Sequence, residues 1–264
     1  MKNILMLASE AVPFIKTGGL ADVVGSLPKT IDKQYYDCRV MIPKYMCIPW
    51  EWRQKMEYVT HFYMNYLGQD RYVGILKYEH QGVIYYFIDN ESYFSGDRPY
   101  GDWYWDLEKF CFFCYAALSA LPLLDWHPDV IHCHDWQTGL VPVLLHDRFA
   151  GGEYYRSIKS VITIHNLKFQ GVWDVKTIQR FTQLSDYYFT PDKLECKKDG
   201  NLLKGGMCMP TRSRRFPIPT PRRSRCRSTA RASMDCFVHV HMTSAASSTG
   251  SIMMTGIRRR ISTS

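Results

Sequence analysis

A lysine and two adjacent glycines, Lys16, Gly18 and Gly19, lie between an apolar run and a helical pattern in the segment FIKTGGLADVVGSLP. Glycine has no Cβ, so backbone N–H groups can approach an anion closely, and a helix N-terminus adds about half a positive charge. The lysine adds a full charge. Glu10 precedes this loop, directly after the apolar run. Lys16, Gly18 and Gly19 predict a phosphate or pyrophosphate site, whereas the glycine pair alone would favour a plain turn at a helix entry.

The glycine spacing in this segment separates it from the common nucleotide-binding motifs. It matches neither the G-x-G-x-x-G pattern of dinucleotide-binding proteins nor the P-loop. A Rossmann dehydrogenase is therefore disfavoured.

A second group of polar residues, in the segment DVIHCHDWQTGLVP, follows another apolar run. His132 and His134 followed by Asp135 could suggest a metal site. However, residues two apart on a strand share one face, and nothing nearby completes a tetrahedral or octahedral ligand set. Polar side chains at a strand end suit the hydroxyls of a sugar or a ribose better, so we expect that kind of ligand rather than a metal.

A third group, His165 and Asn166 in the segment VITIHNLKFQG, ends a further apolar run. A lone histidine at a strand end is often a core residue with a satisfied hydrogen bond. In an open parallel sheet, however, ligands bind outside the carboxyl ends of the strands. We therefore expect all three groups to face one crevice.

The elements that must position these groups alternate along the first 206 residues. Short apolar runs rich in β-branched and aromatic residues predict strands, and between them lie helical patterns. The predicted strands are KNILMLAS, CRVMIPKY, RYVGILKYEH, GVIYYFID, DVIHCHDW and SVITIHN, and the predicted helices are GLADVVGSLPKTI, DLEKFCFFCYAALSALPLL and QTGLVPVLLHDRFA. This alternation predicts an α/β fold with a doubly wound, Rossmann-like parallel sheet, helices on both faces and an antiparallel ribbon near residues 58–90.

The composition changes after Gly206. Residues 1–206 carry 22 Lys and Arg against 24 Asp and Glu, whereas residues 207–264 carry 11 Arg, no Lys and a single acid, so the net charge of +8 comes from the tail. This Arg/Ser/Pro-rich tail has little to bury, and we expect it to be unstructured. An Arg-rich tail could bind nucleic acid. We instead interpret residues 207–264 as a frameshift product, because a back-translation begun two bases into the codon of Met207 reads as ordinary protein text without stops.

Cysteine usage and hydropathy indicate the environment of the chain. Nine cysteines at irregular spacing, in a chain too large to need disulfides, predict reduced thiols in a cytoplasm. Cys111 and Cys114 form a C-x-x-C pair, but the surrounding pattern is apolar on all sides and no second pair follows, so helix packing is favoured over redox or metal chemistry. No apolar run approaches the ~20 residues of a membrane span, and we expect no membrane partner.

Four segments together resemble a known family. KTGGLADVVGSLP, HCHDWQTGLVP, TIHNLKFQG and NLLKGG, in this order and spacing, are similar to the N-terminal half of bacterial glycogen synthases and plant starch synthases. The resemblance covers about residues 1–206. It implies one half of a two-domain GT-B glycosyltransferase, with the active site in the cleft between two Rossmann-like domains.

The resemblance also implies roles for individual residues. Lys16, Gly18 and Gly19 would lie by the diphosphate and glucose of the donor, ADP-glucose, with Asp22 nearby. Asp135 and Trp136 would lie by the sugar or the acceptor, and His165 and Asn166 by the glucosyl group. The implied catalytic residues are His165, Asp135 and Glu10. Glucose would pass to the non-reducing end of an α-1,4-glucan with retention of configuration, and no metal or other cofactor is expected.

The C-terminal domain of the family carries further phosphate ligands and a glutamate-containing motif that this sequence does not show. The resemblance therefore implies that the chain is inactive alone. A non-catalytic remnant that binds glucan or nucleotide weakly remains the alternative, and nucleic acid is not an expected partner.

Overall fold

A mostly parallel sheet of seven strands lies at the centre of the computed structural model, which describes residues 1–209. The strands are β1 (Lys2–Leu7), β2 (Tyr36–Pro43), β3 (Glu57–Tyr66), β4 (Gln69–His80), β5 (Val83–Asp89), β6 (Val130–His134) and β7 (Lys159–Thr163). Their order in the sheet is β3-β4-β5-β2-β1-β6-β7. Every strand predicted from the sequence is present, and β3 falls within the predicted antiparallel ribbon.

The switch point, at which the order of the parallel strands reverses, lies next to β1. From β1 the chain moves outwards to β2 and then to β5, and it returns to the other side of β1 for β6 and β7, with all of these pairs parallel. β3 and β4 extend β5 with antiparallel pairing. The doubly wound α/β fold is confirmed, and the gap between the carboxyl ends of β1 and β6 is where such sheets bind ligands.

Seven α-helices connect these strands or follow them in the part of the chain up to Met209. They are α1 (Gly19–Thr30), α2 (Trp50–Arg53), α3 (Glu91–Phe94), α4 (Trp103–Ala120), α5 (Leu140–Asp147), α6 (Val175–Thr182) and α7 (Leu202–Cys208). The crossover through α1 and the crossover through α5 run in opposite directions from the switch, and parallel crossovers are right-handed. The two helices therefore cover opposite faces of the sheet.

The helix α4 is buried along most of its length, as its apolar pattern predicts. Its buried residues include Cys111 and Cys114, both fully inaccessible, and burial raises the pKa of both thiols. No disulfide forms among the cysteines of residues 1–209. The C-x-x-C pair is thus part of the helix packing.

A small second sheet follows β7 and was not predicted. It contains β8 (Val172–Asp174), β9 (Glu195–Cys196) and β10 (Asp199–Asn201) in the antiparallel order β8-β10-β9. Strands of two or three residues are too short to show a periodic pattern in the sequence. This sheet leads into α7, which contains the segment LLKGG and continues past Gly206 to Cys208.

The predicted unstructured tail concerns residues 207–264, and residues 210–264 lie outside the described part of the chain. The frameshift interpretation and the nucleic-acid alternative concern the same residues. Among residues 1–209, no helix combines the length and the apolar character needed to cross a bilayer.

Candidate active site

A cavity of about 600 Å³ opens at the edge of the sheet where β1, β6 and β7 end. Its walls come from the loop after β1, the loop before α4 and the turns that follow β6 and β7. Seven of the residues predicted from the sequence line it: Glu10, Gly18, Gly19, Asp135, Trp136, His165 and Asn166. The three separate groups therefore face one crevice, as the position of parallel strand ends requires.

The first wall is the loop between β1 and α1, held by a buried carboxylate. Glu10 accepts hydrogen bonds from the backbone N–H of Thr17 at 2.5 Å and from its hydroxyl at 2.8 Å. Burial raises the pKa of Glu10, and the hydrogen bonds from Thr17 oppose that rise. This carboxylate fixes the path of the loop just before α1 begins.

The N-terminus of α1 faces the cavity without a side-chain cap. Gly18 occupies the N-cap position and has no side chain that could accept a hydrogen bond from the first turn. Amides of that turn therefore lack the usual intramolecular acceptor. A Cβ at Gly18 would contact only Glu10 Oε1, at 3.9 Å, so the glycine is not required by packing. Open amides at a helix N-terminus form an anion site.

Two predicted residues, Lys16 and Asp22, do not line the cavity. Lys16 Nζ lies 2.7 Å from Asp22 Oδ1, and each side chain is 53% exposed. The two residues are thus paired with each other at the surface of the same loop and helix. The positive charge of Lys16 reaches a ligand in the cavity only if this exposed ion pair opens, and such pairs are weak.

The second wall is built around Asp135, whose backbone has an unusual conformation. Its φ of 58° and ψ of −171° end β6 after His134, earlier than the sequence predicted. Such backbone angles are nearly confined to glycine and cost a non-glycine residue about 1–3 kcal/mol. The strain turns the Asp135 carboxylate towards the next strand, where it accepts hydrogen bonds from the backbone N–H groups of His165 at 2.6 Å and Asn166 at 3.4 Å.

The pKa of the Asp135 carboxyl is raised to about 7, because it is buried. The two backbone hydrogen bonds oppose this rise, and the charge of Glu10 adds to it. Asp135 therefore changes its protonation state near neutral pH, which ordinary aspartates do not.

His165 is hydrogen-bonded to a second buried histidine. His165 Nε2 lies 2.9 Å from His134 Nδ1, with the rings within 19° of parallel. Burial lowers the pKa of His165 to about 4. Burial also lowers the pKa of His134 well below its ordinary value, with the neighbouring histidines His132 and His165 contributing. The ring of His132 lies 4.3 Å from that of His134, and its Nε2 is 2.7 Å from the Thr163 hydroxyl.

His134 and His165 are hydrogen-bonded to each other, and the ring of His132 packs against that of His134. Within residues 1–209 there is no group of three or more histidine, cysteine or acidic side chains placed to hold a metal ion. His134 and His165 instead use one nitrogen each to bond to the other. Both rings are uncharged at neutral pH, since their pKa values are lowered.

Trp136 is largely a packing residue that contributes to the cavity wall. It is 3% exposed and contacts the rings of Phe110, Trp103 and Trp173 at centroid distances of 5.4, 6.3 and 5.3 Å. Its ring also packs against Gly171, whose φ of +65° favours glycine. Only a small part of the indole is therefore open to a ligand.

Sequence reasoning missed the third wall, which is formed by the loop between α3 and α4 and by the first turn of α4. The loop contributes Arg98, Tyr100 and Gly101 to the cavity, and the helix contributes Trp103 and Asp106. The sequence did contain a signal for this wall. The segment contains Gly and Pro and follows β5, and the carboxyl end of β5 lies at the same edge of the sheet as the carboxyl ends of β1 and β6.

Hydrogen bonds fix that loop to the rest of the site. The Tyr100 hydroxyl lies 2.6 Å from the hydroxyl of Ser9, just after β1. Asp106 accepts from the backbone N–H of Gly101 at 3.1 Å and from Lys109 Nζ at 2.6 Å. These hydrogen bonds therefore fix the positions of the side chains in this wall.

Comparisons with known proteins support the resemblance seen in the sequence. The family model for the starch synthase catalytic domain matches residues 3–212. The chain is 63% identical over 207 residues to the glycogen synthase of Lachnoclostridium phytofermentans and 62% identical over the same length to that of Lachnospira eligens. Each alignment covers 78% of this chain and 43% of the relative. The chain therefore spans less than half the length of these relatives.

A solved structure shows the same fold. The catalytic domain of Starch Synthase IV from Arabidopsis thaliana, bound to ADP and acarbose, matches with a TM-score of 0.70 and 27% identity, over 79% of this chain and 43% of that chain. The sequence motifs, the family model and the fold agree with one another. The chain belongs to the family of starch synthase catalytic domains, together with the bacterial glycogen synthases that it resembles.

Proposed function

We propose that the protein is a glycosyltransferase that takes glucose from ADP-glucose and adds it to the non-reducing end of an α-1,4-glucan. One observation carries this proposal: the uncapped N-terminus of α1 and the His165–Asn166 turn line the same cavity. An anion site thus lies beside polar groups suited to a sugar. The names of the relatives and the ADP bound to the Arabidopsis neighbour support the same conclusion.

The diphosphate of the donor would lie against Gly18 and Gly19. Open amides and the positive end of the helix dipole stabilise its negative charge, and this charge grows as the bond to glucose breaks. Lys16 would join them after leaving Asp22. Fixed dipoles and cations at a developing anion lower such a barrier by several kcal/mol.

The glucosyl group would lie against the second wall. His165, Asn166 and Asp135 supply hydrogen-bonding groups at the cavity surface, and Glu10 lines the same cavity. We propose that these groups orient the sugar for transfer with retention of configuration. His165, Asp135 and Glu10 stay our candidates for catalytic residues, and the proposed reaction uses no metal and no other cofactor.

We further propose that residues 1–209 alone bind the donor without transferring glucose. The chain spans 43% of the length of its closely similar relatives, and the cavity has walls from this domain only. A chain that binds nucleotide or glucan without catalysis is the second candidate, and the same short span supports it.

The proposal is tested by ADP binding to the chain, followed by calorimetry or NMR titration. We expect weak binding that Gly18→Ala reduces about tenfold, since a methyl group would stand between the phosphates and the amides of α1. The fold should be unaffected, because that methyl meets no close neighbour. Absence of ADP binding, or equal affinity in the variant, would refute the donor site.

Incorporation of labelled glucose from ADP-glucose into glycogen tests whether this domain alone transfers glucose. We expect no incorporation by the chain alone. Full-rate turnover would overturn the proposal that one domain is insufficient.

A further inference from the structure

The first turn of α4 presents three exposed aromatic side chains, Trp103, Tyr104 and Trp105, which are 50%, 45% and 42% exposed. Asp102 caps this turn by accepting hydrogen bonds from the backbone N–H groups of Tyr104 and Trp105 at 2.8 and 3.0 Å. The turn is therefore fixed although its side chains face solvent. Exposing three large rings in a row is costly unless they contact something.

Each of the three rings rests on a different neighbour. Trp103 stacks on Trp173 with centroids 4.5 Å apart, Tyr104 meets Phe181 edge-on at 5.3 Å, and Trp105 stacks on Tyr93 at 5.5 Å. Of the three, only Trp103 lines the main cavity. Trp103 is thus a rigid indole, supported on one side by a buried ring and open to the cavity on the other.

The side chains around Trp103 combine apolar and polar character. Phe169, which is 46% exposed, lines the same cavity, as do Arg98 and Asn166. The Arg98 side chain is 72% exposed, and its Nε lies 3.8 Å from Asp97 Oδ1 in an exposed ion pair. An open ring beside polar side chains suits a ligand with an apolar face and a polar rim.

A glucose unit has these two features, since its C–H groups lie on the faces of the ring and its hydroxyls point outwards. A fixed aromatic side chain gains contact with such a face at little cost in conformational entropy, because only two side-chain torsions are involved. The hydroxyls would bond to Arg98 and Asn166. A purely apolar ligand would leave these polar groups without partners.

We propose that Trp103 forms a binding subsite for one glucose unit of an α-1,4-glucan, stacked on the indole at the cavity wall. This inference rests on the proposed function, and it assigns the acceptor side of the same cavity. The glucan, held by Trp103 and Phe169, would extend from the glucosyl group near His165 towards the first turn of α4.

The test is calorimetric titration of the chain with maltoheptaose. We expect Trp103→Ala to weaken binding about three- to tenfold, the range for a single aromatic contact. Trp103→Phe should keep most of the affinity, because a ring remains. Tyr104→Ala is the matched control: it removes an equally exposed ring from the same turn but not from the cavity, and its affinity should equal that of the wild type.

A second measurement does not depend on the alanine variant folding. The Trp103 indole N–H signal in ¹H–¹⁵N spectra, assigned by its loss in Trp103→Phe, should shift on adding maltoheptaose. Absence of maltoheptaose binding, an unshifted signal, or an equal loss of affinity in Tyr104→Ala and Trp103→Ala would overturn the proposal.

ADP binding by the same variants separates this subsite from the donor site. We expect Trp103→Ala to bind ADP as the wild type does. A loss of ADP affinity with unchanged maltoheptaose affinity would show that Trp103 holds the adenine base, and would overturn the subsite. If the wild type binds maltoheptaose through Trp103 but fails to bind ADP, the subsite stands and the proposed glucosyl transfer from ADP-glucose fails.

Discussion

His134 Nδ1 and His165 Nε2 are 2.9 Å apart, so the two buried rings share one hydrogen bond. Since both are neutral, one nitrogen carries the proton and the other accepts it, and the tautomers of the two rings are linked. His134 Nε2 is buried and has no hydrogen-bond partner among residues 1–209. His134 therefore orients the imidazole of His165, whose other nitrogen remains for a ligand in the cavity.

The first prediction concerns this pair. His134→Leu removes the partner of His165 Nε2, so we expect the ring of His165 to exchange between tautomers. His134→Asn places an amide near the former Nδ1 position and should restore a single form. Long-range ¹H–¹⁵N spectra of the His165 ring report the tautomer directly. Identical His165 spectra in the wild type and in His134→Leu would show that the contact has no orienting role.

The second prediction concerns the protonation of Asp135. Its pKa of about 7 in the folded chain is above the ordinary value of 3.8, so the folded state binds this proton more tightly than the unfolded state does. The stability contributed by Asp135 is therefore complete at low pH and is lost as the pH rises towards 7 and above. His165 acts in the opposite sense, since its pKa of about 4 makes the folded chain lose stability as the pH falls from 6.5 towards 4.

Asp135→Asn removes the pH dependence of stability that comes from Asp135 and leaves the one that comes from His165. Relative to the wild type, the variant should gain about 1–3 kcal/mol in unfolding free energy between pH 5 and pH 8. Urea unfolding at the two pH values measures this difference. A pH-independent difference between the two proteins would mean that Asp135 titrates in its ordinary range.

The third prediction concerns the buried ion pair below the third wall. Lys109 Nζ lies 2.6 Å from Asp106 Oδ1 and 2.5 Å from the carbonyl oxygen of Pro99, and both side chains are less than one-tenth exposed. Lys109→Met leaves the carboxylate buried without its cation and should lower the unfolding free energy by about 3–5 kcal/mol. The double variant Asp106→Leu with Lys109→Met should recover a large part of that loss.

A surface pair provides the control for this experiment. Lys77 and Glu57 are 3.5 Å apart and largely exposed. Lys77→Met should change the unfolding free energy by less than about 1 kcal/mol. Equal effects of the two lysine substitutions in urea unfolding would show that the Lys109 pair is not desolvated.

The sequence was sufficient for the parallel sheet and for two of the cavity walls, because both follow from local patterns. Apolar runs mark β1, β6 and β7, and the polar residues that follow them must meet at one edge of a parallel sheet. The strand at β6 was predicted to reach Trp136, but the positive φ of Asp135 ends it at His134. Hydrophobic periodicity carries no information on such a backbone angle.

Contacts between distant segments were not predictable in the same way. The pairing of Lys16 with Asp22 depends on how the loop approaches α1, and the sequence alone placed Lys16 beside the ligand. The loop that carries Arg98 and Tyr100 is held by hydrogen bonds to Ser9, after β1, and to Asp106, in α4. Single-sequence patterns describe elements and their ends, whereas these side-chain positions are set by tertiary packing.

The last prediction concerns Gly139 and Gly206, where the start of α5 meets α7. A Cβ at Gly206 would lie 2.7 Å from the carbonyl oxygen of Gly139 and 2.9 Å from Ile162 Cδ1, and a Cβ at Gly139 would lie 2.6 Å from the carbonyl oxygen of Leu202. Backbone atoms cannot move aside cheaply, so Gly206→Ala should lower the unfolding free energy by about 1–3 kcal/mol.

Gly151→Ala is the control for Gly206→Ala, since a Cβ at Gly151 would meet no atom within 4 Å. Gly139 directly follows the short 3₁₀ helix Trp136–Thr138, so the displacement should also reach the cavity wall. Urea unfolding and the ¹H–¹⁵N signal of the Trp136 indole would measure both effects. If Gly206→Ala unfolds like Gly151→Ala and leaves the Trp136 signal in place, the contact between α5 and α7 does not support the site, because a close backbone approach cannot accept a methyl group without moving.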